Sequence, residues 1–144
     1  MKRQDYRSRV MVLGTFVALA LGMAHAQIGG DVLKVNVPFD FSIGSQKLQA
    51  GEYSLRPLLP HTMVLRNQAG QVLTNVQTMS VESGEVQKSV KLVFNGYGGE
   101  YFLTQIWNAG ENIGQALTKS PAEIEMATKH SPGAEIALRL VAHR

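Results

Sequence analysis

Three histidines, His61, His130 and His143, and two carboxylates flanked by apolar residues, Asp40 and Glu52, are the side chains of Gln27–Arg144 best suited to chemistry. Histidines that share a metal ion usually recur at short spacing, because two ligands on one element must point at the same place. No two of these stand in H-x-H, H-x-x-x-H or H-E-x-x-H spacing, so each reads as a solvated loop or terminal histidine. Asp40 and Glu52 would make an acid–base pair only if folding brought both into one cleft; taken singly they are solvent-facing acids. The chain carries neither a G-x-S-x-G elbow nor an S-x-x-K pattern. A Ser–His–Asp triad cannot be inferred from residue types alone, because its geometry comes from the fold. The sequence has no cysteine, which excludes thiol catalysis, thiolate metal centres and disulfide staples. No catalytic residue and no cofactor is expected.

The glycine-rich run Asn95-Gly96-Tyr97-Gly98-Gly99-Glu100-Tyr101-Phe102 has a partial likeness to the RNA-binding strand of an RNA-recognition motif. It departs where binding would depend on it: Asn95 replaces the basic residue, Gly99 a stacking aromatic, and Glu100 would repel phosphate. No lysine and no helix follow the glycines, so they are no phosphate cradle. Aromatic side chains are the remaining contact candidates. Tyr97 is expected near a loop tip, and Tyr101 and Trp107 lie on the strand after it; these three are the expected ligand or partner contacts.

Charge narrows the partners. The whole chain has 14 basic and 11 acidic residues, but the first 26 residues read as a secretory leader. Lys2, Arg3, Arg7 and Arg9 form a basic front, Val10–Met23 is an uncharged apolar run, and Ala24-His25-Ala26 places small residues at the peptidase positions. Cleavage between Ala26 and Gln27 would leave a secreted or periplasmic product. Removing four basic residues and one acid leaves ten of each, so the mature chain is formally neutral. Nucleic acid, which demands a clustered basic surplus, is therefore not an expected partner. Membrane insertion of the mature chain is not expected either, since a lipid-facing barrel needs two aromatic girdles and the mature chain has eight Phe, Tyr and Trp residues.

The elements that would position these side chains are mostly strands. Leu33, Val35, Val37, Phe39, Phe41 and Ile43 share one parity, which predicts a half-buried strand; Pro38 predicts an edge or a bend within it. Further strands are expected at Tyr53–Arg56, Thr62–Asn67, Gln71–Val81, Lys88–Phe94, Glu100–Trp107 and Ala134–Ala142, with a five-residue hairpin loop at Asn95–Gly99. In Glu100–Trp107 both parities are apolar, Tyr101, Leu103 and Trp107 on one and Phe102 and Ile106 on the other, as in a strand covered on both faces. Ser120-Pro121-Ala122-Glu123 is a capping box. It predicts one short helix ending near His130, with Ile124, Ala127 and Thr128 on a shared face for docking.

Val37-Pro38-Phe39-Asp40-Phe41, Leu48-Gln49-Ala50-Gly51-Glu52-Tyr53, Leu92-Val93-Phe94, Tyr97-Gly98, Tyr101-Phe102-Leu103, Trp107 and Lys119-Ser120 follow in an order that resembles a family of small uncharacterised secreted proteins of acidobacterial type. The resemblance spans most of Asp31–Leu140. That family often has proline where this chain has Gln49, which implies a looser turn here. The resemblance implies a secreted β-domain and carries no catalytic residue with it.

The expectation is thus a leader, 1–26, and a single secreted β-domain, 27–144: a small antiparallel β-barrel or β-sandwich of about seven strands with one short α-helix before the last. The expected function is a non-enzymatic binding or interaction module for an unknown protein or a small apolar ligand. A carrier alternative predicts a cavity of several hundred Å³ lined by Phe39, Phe41, Phe94 and Trp107. A hydrolase predicts a shifted carboxylate or histidine in a cleft. An interaction module predicts an exposed apolar patch or an unprotected strand edge.

Overall fold

The computed structural model describes residues 32–131, 133 and 135–140. The leader and its cleavage point at Ala26 and Gln27 lie outside the described residues, as does His143. In chain order the elements are β1 (Leu33–Val37), β2 (Phe41–Ile43), β3 (Gln46–Leu48), β4 (Gly51–Leu59), β5 (Thr62–Asn67), β6 (Val72–Glu82), β7 (Val90–Tyr97), β8 (Glu100–Trp107), β9 (Ile113–Leu117), α1 (Pro121–Lys129) and β10 (Glu135–Leu140). The protein is mainly β, with one short helix before the last strand.

The described residues form ten strands rather than about seven, for local reasons. Pro38 lacks an N–H and ends the first predicted strand early; the chain turns through Phe39-Asp40 and resumes as β2. Among the described residues β1 stays at the sheet edge, paired only with β4, while β2 pairs with β3 and touches β8 in parallel at Ser42↔Phe102. β3 and β9 are short strands that the sequence pattern does not predict. β4 also runs past Pro57, beyond the strand expected at Tyr53–Arg56. β1 covers β4 only from Gly51 to Leu55, so Pro57 sits where β4 has become an edge and its missing N–H costs no ladder bond on that side.

The strands lie in the order β1-β4-β5-β6-β9-β8-β2-β3, with β7 on the other edge of β8 and β10 outside β7. Among the described residues the sheet is open: β1, β3 and β10 each have a single neighbour. β6 joins its two halves, pairing β5 up to Gln77 and β9 from Thr78 onward. Both halves contribute to one buried cluster that includes Val35, Val37, Phe41, Leu55, Leu65, Leu92, Phe94, Leu103 and Ile106. Burying such side chains is the main term favouring the fold, at about 1.5–3 kcal/mol for each large one.

The phase of β8 corrects the sequence reading. Val93 faces Gln105, but the next residue, Phe94, faces Leu103, so Thr104 is the extra residue of a bulge. Its hydroxyl donates to the Val93 carbonyl at 3.1 Å. The bulge inverts the alternation, so Leu103 and Ile106 both join the main core, although an uninterrupted strand would put them on opposite faces. Trp107 moves to the second face with Phe102.

The β7–β8 connection is tighter than predicted. β7 extends to Tyr97, and only Gly98 and Gly99 form the turn, at φ 58° and 86°. Positive φ at both central residues is the type I′ pattern, which suits glycine and matches strand twist.

The helix begins as the capping pattern predicts. Ser120 is the N-cap and its hydroxyl accepts from the Glu123 N–H at 3.1 Å. Its docking face differs. Ile124 is 54% exposed, and Thr128 is exposed, its hydroxyl bonded back to the Ile124 carbonyl. The residue turned inward is Glu123, 4% exposed. Its carboxylate accepts from the Tyr97 hydroxyl at 3.4 Å and so ties the helix to the sheet.

Candidate binding groove

An open groove of about 570 Å³ lies where the two halves of the sheet diverge. One wall is the β4–β5 connection, Pro57 to Met63; the other is the β8–β9 connection, from Asn108 and Glu111 to Gln115; Leu33, Thr78 and Ile106 complete it. β6 links the two walls: it pairs β5 as far as the turn, with Thr62 opposite Gln77, and pairs β9 from Thr78 onward. The Thr78 N–H also donates to the His61 carbonyl at 2.9 Å.

The groove has an apolar rim and a mixed floor. Leu58, Leu59 and Ile113 are 50%, 64% and 51% exposed, three large apolar side chains held in water around one depression. Met63 and Ile106 are buried beneath them. Polar groups on the floor satisfy each other: the Thr78 hydroxyl donates to Gln115 Oε1 at 2.9 Å. At the rim, Asn108 Nδ2 donates to Glu111 Oε2 at 3.2 Å. Such a surface can bind by covering apolar area, with a few polar groups to orient the occupant.

His61 has φ 63°, a left-handed conformation rare for a residue with a side chain. Pro60 before it occupies the first central position of the two-residue β4–β5 turn, and positive φ at the second is the type II arrangement that ordinarily takes glycine. The turn therefore carries about 1–2 kcal/mol of local strain at the groove wall.

The structure disperses the other residues singled out in the sequence. His61 lines the groove. His130 lies against the Gly98 turn at the far end of the helix, where a Cβ on Gly98 would come within 2.9 Å of its ring. Asp40 accepts from the Ala50 N–H at 2.9 Å, and Glu52 accepts from Gln68 Nε2 at 3.0 Å; each serves local structure, and neither lines the groove. Asp40 and burial together hold the Tyr53 hydroxyl above its ordinary pKa, burial contributing more. Among the described residues no group of three or more histidines and carboxylates could hold a metal ion.

The aromatic contact candidates are placed inside. Tyr97 is 3% and Trp107 5% exposed. Tyr97 is the last residue of β7, beneath the helix, and its ring meets Phe102 edge-on at 5.9 Å. Trp107 is covered by the Lys91 ammonium, 5.2 Å from the ring centroid, and its Nε1 donates to Gln105 Oε1 at 3.0 Å. Tyr101 is half-buried against Phe39, with ring centroids 4.9 Å apart. Nor do Phe39, Phe41 and Phe94 enclose a cavity. They pack on one another, Phe39 and Phe41 each edge-on to Phe94 at 5.0 and 5.6 Å.

Of the groove residues, sequence reasoning singled out His61 as a candidate and missed the apolar rim of Leu58, Leu59 and Ile113. The Pro57-Leu58-Leu59-Pro60-His61 stretch, two exposed leucines between prolines, was the available signal. No family model, curated protein or solved structure matches the chain.

Proposed function

We propose that the chain is an exported binding module of the periplasm or extracellular space, and that it holds an apolar ligand or an apolar segment of a partner in the groove between the β4–β5 and β8–β9 connections. The observation that carries this reading is the rim of Leu58, Leu59 and Ile113 around a volume of about 570 Å³. Covering one such side chain contributes on the order of 1 kcal/mol. A cluster of three at one depression is the kind of exposed apolar feature that marks contact sites.

Export rests on the leader pattern of residues 1–26, and the neutral mature charge fits an apolar rather than an electrostatic partner. The architecture reads as a half-open β-sandwich, two layers hinged on β6 and spread at one end. On this reading a carrier would hold its ligand in the spread end, since the aromatic interior is filled by side chains.

The test uses 1-anilinonaphthalene-8-sulfonate as an apolar probe on the folded mature chain. Leu59→Ser with Ile113→Ser is expected to abolish most of the fluorescence enhancement, and Ile124→Ser on the exposed helix face to leave it intact. Equal enhancement in all three proteins, or none in the wild type, refutes the groove.

A further inference from the structure

Among the described residues three strands end the sheet, and they differ in how their outer edges are protected. β1 is five residues long, carries the exposed Lys34 and runs into Pro38. β3 has three residues, and its Lys47 is paired with Glu100 at 3.0 Å. Charge, brevity and proline are the usual devices that keep an edge from pairing with another chain. β10 has six residues, Glu135-Ile136-Ala137-Leu138-Arg139-Leu140, without proline. Among the described residues its only strand partner is β7.

The side chains of β10 are complementary to themselves. Across the β7–β10 ladder Arg139 lies opposite Lys91 and Glu135 opposite Asn95. Like charges directly opposite in a ladder are unfavourable, and among the described residues no carboxylate forms an ion pair with Arg139. An antiparallel copy of the strand centred on Ala137 would place Glu135 opposite Arg139 twice and Ile136 opposite Leu138 twice. Shifting that register by one residue sets a charge opposite an apolar side chain, and a shift by two leaves both charges without their partners. Ile136 and Leu138 are only half-buried although Leu138 packs on the main core, so that face has apolar area still to cover.

We propose that the outer edge of β10 pairs with β10 of a second copy of this chain, antiparallel, about a two-fold axis at Ala137. The arrangement is isologous and closes at two subunits. It joins the two β7–β10 ladders into one continuous sheet and leaves both grooves free.

The experiment is sedimentation velocity of the mature chain, Gln27–Arg144, across a concentration series, with charge-swap variants. Glu135 and Arg139 are both exposed, so neither substitution removes core packing. The wild type is expected to dimerise. Glu135→Arg and Arg139→Glu are each expected to weaken the dimer by roughly tenfold, because each turns two attractive cross-strand pairs into repulsive ones. The double variant is expected to recover most of the loss. Ala137→Cys supplies a second readout in a chain that has no cysteine. Residues directly opposite in an antiparallel pair have Cα atoms about 4.5–5.5 Å apart, within disulfide range, so mild oxidation should trap the dimer, while Lys34→Cys on β1 should remain a thiol. A wild type that stays monomeric, a double swap that does not recover, or Ala137→Cys that resists oxidation overturns the proposal.

Discussion

The Trp107 indole lies flat on Gly114, its direct cross-strand partner. A Cβ on Gly114 would fall 2.5 Å from Cδ2 and Cε3 of the indole. This contact fixes the β8–β9 connection and so one wall of the groove. The glycine serves as the floor for a ring that any side chain would displace.

Gly114→Ala is therefore expected to destabilise the protein by about 1–3 kcal/mol, the usual range for overpacking. Urea denaturation followed by the emission of Trp107, the sole tryptophan, measures it. A midpoint unchanged from wild type would mean that the ring shifts at no cost.

His61→Gly relieves a left-handed residue. Glycine adopts that φ without the Cβ clash, although it leaves a more flexible unfolded chain. The balance predicts a gain of about 0.5–1 kcal/mol, read as a raised thermal midpoint. If instead the imidazole holds the turn through its own contacts, the variant will be less stable.

Buried Glu123 predicts a dependence on pH. Burial raises its pKa above the ordinary carboxylate value, and Lys119, Tyr97 and Asn95 offset this in part. The folded state thus holds the proton more tightly than the unfolded chain. Its contribution to stability is full below the unfolded pKa and is lost as pH rises through the folded one. Glu123→Gln keeps an acceptor for the Tyr97 hydroxyl and removes the titration. The variant should match the wild type in melts near pH 3 and exceed it at pH 7. A variant less stable than wild type at pH 7 would show that the ionised carboxylate supports the helix.

Phe94 is fully buried at the centre of the aromatic cluster. Phe94→Ala should cost about 3–5 kcal/mol in denaturant unfolding. A loss below about 1 kcal/mol would mean that the interior collapses readily around the missing ring.

Strand periodicity made much of the fold legible. The alternation of Leu33–Val37, the edge implied by Pro38 and the Ser120 cap all have their counterparts in the structure, because each depends on a few adjacent residues. What was hidden depends on pairing. The bulge at Thr104 leaves no local mark, yet it decides that Ile106 joins Leu103 in the core while Trp107 leaves it. β9 reads as Ile-Gly-Gln-Ala-Leu, weak as a strand because its glycine answers the needs of Trp107 on the neighbouring strand. The docking of Glu123 turns the expected helix face by about one residue: Ala127, four residues on, stays half-buried beside it, while Ile124 and Thr128 are exposed. The groove is the least legible feature, built from two connections some fifty residues apart that meet only because β6 changes partner at Thr78.

The groove itself is tested most directly by amide chemical-shift mapping of isotope-labelled Gln27–Arg144 during titration with 1-anilinonaphthalene-8-sulfonate. Saturable shifts confined to Leu58–Met63, Asn108–Gln115 and their neighbours Leu33 and Thr78 are the expected result. Shifts that fail to saturate, or that centre on the exposed face of α1 instead, would contradict it.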